Sequence, residues 1–357
     1  MIAMPNRPEI GIQLVTHMVN EYSVSNLVRL AQLAHDSGID RAWIDDNLRF
    51  RNIFVIMSAI ASRVPIGIGS AIMVPHFRNP IDTADALCAI SELTRGRELC
   101  IGIARGSSGL VPYQLKTERP IRFIREYVVL LKSLLEGHEI AVSEFPLLAS
   151  YFQFREDARF KMAFRKAAPI TFYHGCVGAQ ASKLAGEAMD GILVSGLYVA
   201  LLKTGRIHEV IDAAKKGLAK SQKKEFHFGC EINISLSDDE RAALQGPKVY
   251  LAHVIPGSYD KRGLIEPLGI DRNKVEEMKA RLAGGTSFEE IAGMISDEDV
   301  KKCFIAGTPR QCRDEIMEVV DKTVKLGFDR ISFKPGPGPG YEETIKFIGQ
   351  EVAASYH

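Results

Sequence analysis

Several common patterns are missing from this 357-residue chain, and each absence removes a class of function. There is no excess of charge of either sign: 45 basic residues face 44 acidic ones, for a formal net charge of +1. That balance offers no nucleic-acid footprint and no sink for acidic ligands. Six cysteines (Cys88, Cys100, Cys176, Cys230, Cys303, Cys312) form no C-x-x-C pair, and most sit in apolar runs, as reduced thiols of a cytoplasmic protein do. His17, His76 and His253 make no ligand cluster, so no metal is expected. G-x-S-x-G is absent, which counts against covalent hydrolysis. No basic segment followed by an apolar one opens the chain, and no apolar run is long enough for a bilayer. The expectation is a cytoplasmic protein with no membrane contact. The single tryptophan, Trp43, is expected to pack rather than to stack a ligand.

What is present is a repeated alternation of strand and helix. The clearest unit spans residues 66–106, where apolar strands at 66–74 and 98–105 flank the helical run "NPIDTADALCAISELTRG". Pro80 suits the first turn of that helix, Asp82 and Asp85 suit its positive end, and Gly96 suits its C-cap. Both strands are apolar with little alternation, as in a parallel sheet covered on both faces. Further strands are read at 10–15, 41–46, 168–175, 191–196, 225–237 and 329–336. Residues 138–167 are irregular, and 238–300 reads as helical with no strand of its own. About eight βα units predict an α/β (β/α)8 TIM barrel spanning residues 1–357 as one domain, with a helical insertion at 238–300. The rival open doubly wound sheet lacks its G-x-G-x-x-G after the first strand.

In such a barrel the chemistry sits at the C-terminal ends of the strands. These ends are 13–17, 45–47, 70–72, 105–107, 174–179, 195–196, Asn233 with Ser235, and 334–336. The fifth is the most informative. Gly175 and Gly178 lie between a strand and a helix N-terminus, with Gln180 and Ser182 in the first turn. Backbone N–H groups and the helix dipole make such a loop an anion seat suited to phosphate, or simply a tight turn. Asp45 and Asp46 face opposite ways in a strand, so one is expected to point into the mouth and the other to cap the following helix. Arg105 offers a fork to an anion. His174, in an aromatic strand, is more often a wall residue than a proton donor.

The run "ISELTRGRELCIGIARG" resembles the signature of the luciferase-like monooxygenase superfamily of flavin and deazaflavin barrels. "WIDDN", "GIGSAIMVPHFRNP", "GAQASKLAGEAMDGILVSG" and "IAGTPRQCRDEI" match in the same order. Within the superfamily these residues resemble the coenzyme F-420-dependent 5,10-methylenetetrahydromethanopterin reductases. The resemblance implies a bacterial-luciferase-type barrel and a deazaflavin-dependent oxidoreductase that passes hydride to or from a small or pterin-like substrate. It implies a ring against a bulge in the third strand, with a non-prolyl cis bond at Ala71–Ile72, and a cofactor phosphate on the 175–180 loop. The cofactor-binding residues implied are Asp45, Ser70, Ala71, Ile72, Arg105, Gly106, Ser107, Ser195 and Gly196. The loop residues His174, Gly175, Cys176, Val177, Gly178, Ala179 and Gln180 join them. Gln13, Asp46 and Asn47 stand where the reductases carry substrate-handling acids and a histidine, and here they are suited to hydrogen bonding. Ser107 likewise replaces an acid. Two alternatives remain: a reduced-FMN monooxygenase, and a barrel that has lost catalysis. A homodimer or higher homo-oligomer is expected.

Overall fold

Eight parallel strands close on themselves. A computed structural model describes residues 7–15, 23–47, 50–106, 118–221, 223, 225–336 and 340–356. The strands are β1 (Glu9–Leu14), β2 (Arg41–Ile44), β3 (Gly67–Met73), β4 (Leu99–Ile103), a short pair β5 (Ile140–Ala141) and β6 (Arg159–Phe160), then β7 (Ile170–Cys176), β8 (Gly191–Val194), β9 (His227–Leu236), β10 (Ile305–Gly307) and β11 (Arg330–Pro335). The barrel runs β1-β2-β3-β4-β7-β8-β9-β11 and back to β1. All eight barrel strands fall where the sequence places them, and the (β/α)8 expectation holds.

Two features escaped sequence reading because they are too short to carry a period. β5 and β6 form an antiparallel pair within the irregular stretch, and β10 adds to the outer side of β9. Between β9 and β10 the chain is helical: Glu240–Gln245, Lys248–Val254, a wider turn Ile255–Tyr259, Arg272–Ala283, Phe288–Ala292 and Asp297–Cys303. Among the described residues no helix is long and apolar enough to cross a membrane.

Helix starts follow local chemistry. Ser23, Asn52 and Asn79 each accept a backbone N–H at the head of a helix, and Pro80 follows Asn79. Thr308 and Gln311 close a reciprocal capping box before the helix Pro309–Lys325.

Alternation along each strand creates two cores. Outward residues such as Ile10, Ile12, Ile44 and Ile101 pack under the helices. Inward residues Trp43, Ala71, Cys100, Tyr173 and Leu193 form a separate cluster inside the barrel, with Ile72 against it. Trp43 fills the central layer, so a side chain at Gly11 or Gly69 would collide with its ring. Its packing role is as expected.

Below Trp43 the barrel floor is ionic. Arg41 donates to both Glu9 carboxylate oxygens at 2.7 and 2.9 Å, and to the carbonyls of Ile68 and Glu98. Arg330 pairs with Glu9 at 3.2 Å and Glu98 at 3.1 Å. Every charge in this layer has a partner, and the Arg41 side chain is only 5% exposed. Removing one member of a buried pair leaves an uncompensated charge, which costs about 3–5 kcal/mol. Arg41→Met is therefore expected to lower the unfolding free energy by about that amount in urea titrations. A loss under about 1 kcal/mol would show that water already compensates the layer.

Candidate functional site

The other end of the barrel is built differently. In β3 the register shifts between Ser70 and Met73, and the Ala71–Ile72 peptide is cis, at the bond the resemblance implied. The bulge turns Ile72 toward the barrel interior beside Ala71. Small residues opposite make room for it. A Cβ on Gly175 would stand 2.7 Å from Ile72 Cγ2 and 3.2 Å from the Ala104 Cβ. A Cβ on Gly102 would meet the Ser70 carbonyl, while Ser70 Oγ donates to the Gly102 carbonyl at 2.9 Å. Ala71, Ile72, Gly102, Ala104 and Gly175 thus form a shallow apolar wall.

Asp46, expected to orient a substrate, lies in the outer wall with its side chain wholly buried. It accepts from Arg78 through both oxygens, Nη2 at 2.9 Å, and from the Val74 N–H at 3.0 Å. With both oxygens engaged, it links β2 to the exit of β3. Its neighbour Asp45 faces the other way, and its charge acts on Glu231, Lys334 and Tyr341. The cap of the next helix, expected from one of the two aspartates, is Asn52. Asn47 is buried in a local bridge with Arg51.

Other expected residues divide by the face they occupy. Gly175 and Gly196 line the mouth. Gly196 is overlain by Asn233, which donates Nδ2 to its carbonyl, and by the Tyr250 hydroxyl. His174 and Cys176 point outward to the following helix: His174 Nδ1 bonds the Ala181 carbonyl at 3.1 Å, and Cys176 Sγ lies 3.4 Å from Ser182 Oγ. Burial holds the Cys176 thiol up at about 12, so it stays protonated and inert. Arg105 is exposed, and Gly106 beside it has φ +71° and packs on Val74. Ser195 is half-buried beside Gly196. Ser107 and His17 lie outside the described residues.

Glu231 was missed. It lies on β9, whose segment "EINISL" alternates polar Glu231, Asn233 and Ser235 with apolar Ile232, Ile234 and Leu236. That period of two in a buried strand was the available signal. Lys334, on β11, repeats the inward phase of Arg330 and Ser332. Burial raises the Glu231 carboxyl above its usual range, against the opposing pull of Lys334, the Gln13 amide and the Gly196 N–H. Burial acts against charge on Lys334, but Tyr250, Glu231 and Asp45 outweigh it and raise its pKa. Among the described residues Asn233 Oδ1 is buried without a hydrogen-bond partner, in a residue 1% exposed.

The 175–180 loop leads into the helix Ala179–Ala188, whose N-cap Gly178 has no side chain to satisfy the first N–H groups. Directly over Gly178 lies the Arg262 guanidinium, so close that a Cβ there would strike it. Arg262 comes from the helical stretch after β9, and Arg206 donates to its carbonyl. Among the described residues the guanidinium makes no hydrogen bond or ion pair. A helix N-terminus and an arginine therefore converge on one point. Among the described residues no group of histidines, cysteines or carboxylates is arranged to hold a metal.

Two histidines near the mouth are held neutral. Burial lowers the pKa of both His76 and His174 to about 4, with Arg105 adding to the effect at His76. His76 is stacked on Phe123 at 4.2 Å, with both ring nitrogens unpartnered. The unfolded chain takes up protons near pH 6.5 that the folded protein refuses until about 4. Stability present above pH 6.5 is thus lost as the pH falls, by about 2–3 kcal/mol per histidine at pH 4.5. The double variant His76→Phe with His174→Gln is expected to flatten this acid limb in urea titrations at pH 7 and 4.5. An unchanged slope would assign the acid loss to carboxylates.

Comparison with known proteins places this geometry in a family. The profile described as luciferase-like monooxygenase matches residues 9–326. A 5,10-methylenetetrahydromethanopterin reductase of Methanolobus tindarius is 26% identical over 92% of this chain and 96% of its own length. An F420-dependent glucose-6-phosphate dehydrogenase of Nakamurella multipartita is 24% identical over 93% and 92%. Among solved structures, the coenzyme F420-dependent tetrahydromethanopterin reductase of Methanopyrus kandleri superposes with a TM-score of 0.75 at 24% identity, covering 98% of this chain and 100% of that one.

Proposed function

Because the chain belongs to the luciferase-like monooxygenase family, we propose that it is a coenzyme F-420-dependent oxidoreductase that transfers hydride to or from a small substrate. The observation that carries this reading is the pairing of a shallow apolar wall with a cationic seat, Arg262 over the Gly178 helix N-terminus. A flat ring fits the wall, and a phosphate fits the seat. When bound, F-420 supplies a carbon that accepts or donates hydride.

The chain's own residues divide the work. Ala71, Ile72, Ala104 and Gly175 support one face of the ring. The N–H groups at Gly178, Ala179 and Gln180, with Arg262, hold the phosphate. Ser70 keeps the bulge in register through the Gly102 carbonyl. Asp45, Gln13 and Gly196 border the space left for substrate. The helices between β9 and β10 act as an insertion within one functional unit, bringing Arg262 and Tyr250 to the mouth. Relatives named for F-420 at 24–25% identity support the choice of deazaflavin over flavin. In this reading the protein works in the cytoplasm as a homo-oligomer on a small molecule.

Side-by-side fluorescence titration with F-420 and FMN tests the assignment. F-420 is expected to bind at micromolar concentration or tighter, with FMN at least tenfold weaker. The reverse order would move the protein to the FMN monooxygenases, and binding of neither would end the enzyme reading. The seat has its own test. A charge-assisted hydrogen bond contributes about 1.5–3 kcal/mol, so Arg262→Gln is expected to weaken F-420 by roughly 10–100-fold. The phosphate-free deazaflavin nucleoside fragment should bind both proteins alike; an equal loss for both ligands would remove Arg262 from the phosphate seat.

A further inference from the structure

We infer that Lys334 and Asn233, with Gln13 and Glu231 beside them, form a substrate subsite that takes the oxygen of an uncharged carbonyl compound or of its alcohol. The inference deepens the F-420 reading and rests on it.

The barrel order supplies the first argument. Counting around β1-β2-β3-β4-β7-β8-β9-β11, β9 stands four strands from β3, directly across the barrel. If the ring leans on the β3 bulge, the facing wall is β9 with its neighbour β11. That wall carries Glu231, Asn233 and Lys334, and β1 adds Gln13. A substrate sandwiched against the ring therefore meets these side chains.

Their open valences supply the second. Lys334 Nζ lies 5.5 Å from the centre of the Tyr250 ring and, among the described residues, makes no hydrogen bond or ion pair within 4.0 Å. Among the described residues Asn233 Oδ1 is a buried acceptor without a donor, while the Gln13 amide is turned toward the Glu231 carboxylate. Asn233 cannot turn away, since its Nδ2 is committed to the Gly196 carbonyl. An unpaired buried polar group of this kind is costly unless a ligand or water satisfies it. The charged groups of the barrel floor, by contrast, are paired with one another.

Charge selects the ligand class. Lys334 faces Glu231 and Asp45, the ionisable groups whose fields reach it together with Tyr250. A carboxylate or phosphate placed at Lys334 would also face two acidic side chains, and a cation would face the ammonium. A neutral oxygen avoids both penalties. A carbonyl oxygen accepts from Lys334; the hydroxyl it becomes still accepts there and now donates to Asn233 Oδ1. Both ends of the reaction are thus bonded by groups already in place.

The step balances. The carbonyl carbon gains a hydride, supplied by reduced F-420 under the reading above, and the C=O π bond breaks. The oxygen takes a proton from the Lys334 ammonium, which regains one from water at the mouth. Lys334 touches the reacting oxygen and is a catalytic residue in this scheme.

The experiment mixes reduced F-420 and enzyme with a panel of uncharged aldehydes and ketones, matched keto acids, and matched imines. Return of oxidised F-420 absorbance reports turnover. Uncharged carbonyls are expected to react, and Lys334→Met to lower their kcat/KM at least 100-fold while F-420 affinity stays within threefold. Asn233→Leu should raise KM for the alcohol in the reverse direction more than for the ketone. Turnover confined to imines or keto acids, or silence across the panel with F-420 bound, overturns the inference. So does a loss of F-420 affinity in Lys334→Met with unchanged melting temperature, since the cluster would then hold the ring. If the wild-type protein binds no F-420, the earlier reading falls first, and the two failures are told apart.

Discussion

The site depends on one buried ion pair. Asp46 accepts from Arg78 and from the Val74 N–H, so the end of β2 is tied to the segment leaving β3. Adjacent residues in a strand face opposite ways. Committing Asp46 to the outer wall therefore commits Asp45 to the inside, where its charge reaches Glu231 and Lys334. The same pair fixes the chain just past the bulge that presents Ile72. A single interaction thus orients an acid, a wall and a strand exit at once. Its side chains are withdrawn from water, so it transmits position rather than chemistry.

The two ends of the barrel contrast in how their charges are handled. On the floor, Arg41, Arg330, Glu9 and Glu98 neutralise one another, with further hydrogen bonds to main-chain carbonyls. In the mouth, among the described residues, Lys334 makes no ion pair and the buried Asn233 Oδ1 stays open. Buried polar groups are normally satisfied, and the floor shows that this barrel is able to satisfy them. The open groups Lys334 and Asn233 lie at the end where parallel barrels bind ligands.

The helical stretch after β9 completes the mouth from outside. Arg262 comes to rest over Gly178, and Tyr250 over Gly196 and Lys334. A side chain at 178 would displace the guanidinium from its place over the loop. The loop and the insertion are therefore fitted to each other across more than eighty residues of chain.

Much of this was legible in the residue order. Apolar strands without alternation, capped helices and the count of units specified a parallel barrel, because those signals are local and repeat eight times. The bulge at Ala71–Ile72 and the glycine loop at 175–180 were legible through motif likeness and turn chemistry. Glu231 carried a period-two signal that a strand-end survey passed over. Which of Asp45 and Asp46 faces inward was not legible, since both fit a strand end, and only closure of the barrel sets the phase. Nor could His174 and Cys176 be told apart from mouth residues, because alternation alone does not say which phase is inside. The meeting of Lys334 with Glu231, and of Arg262 with Gly178, joins residues distant in the chain. Such contacts follow from strand order and from where an insertion folds back, and those are properties of the closed barrel rather than of any stretch of sequence.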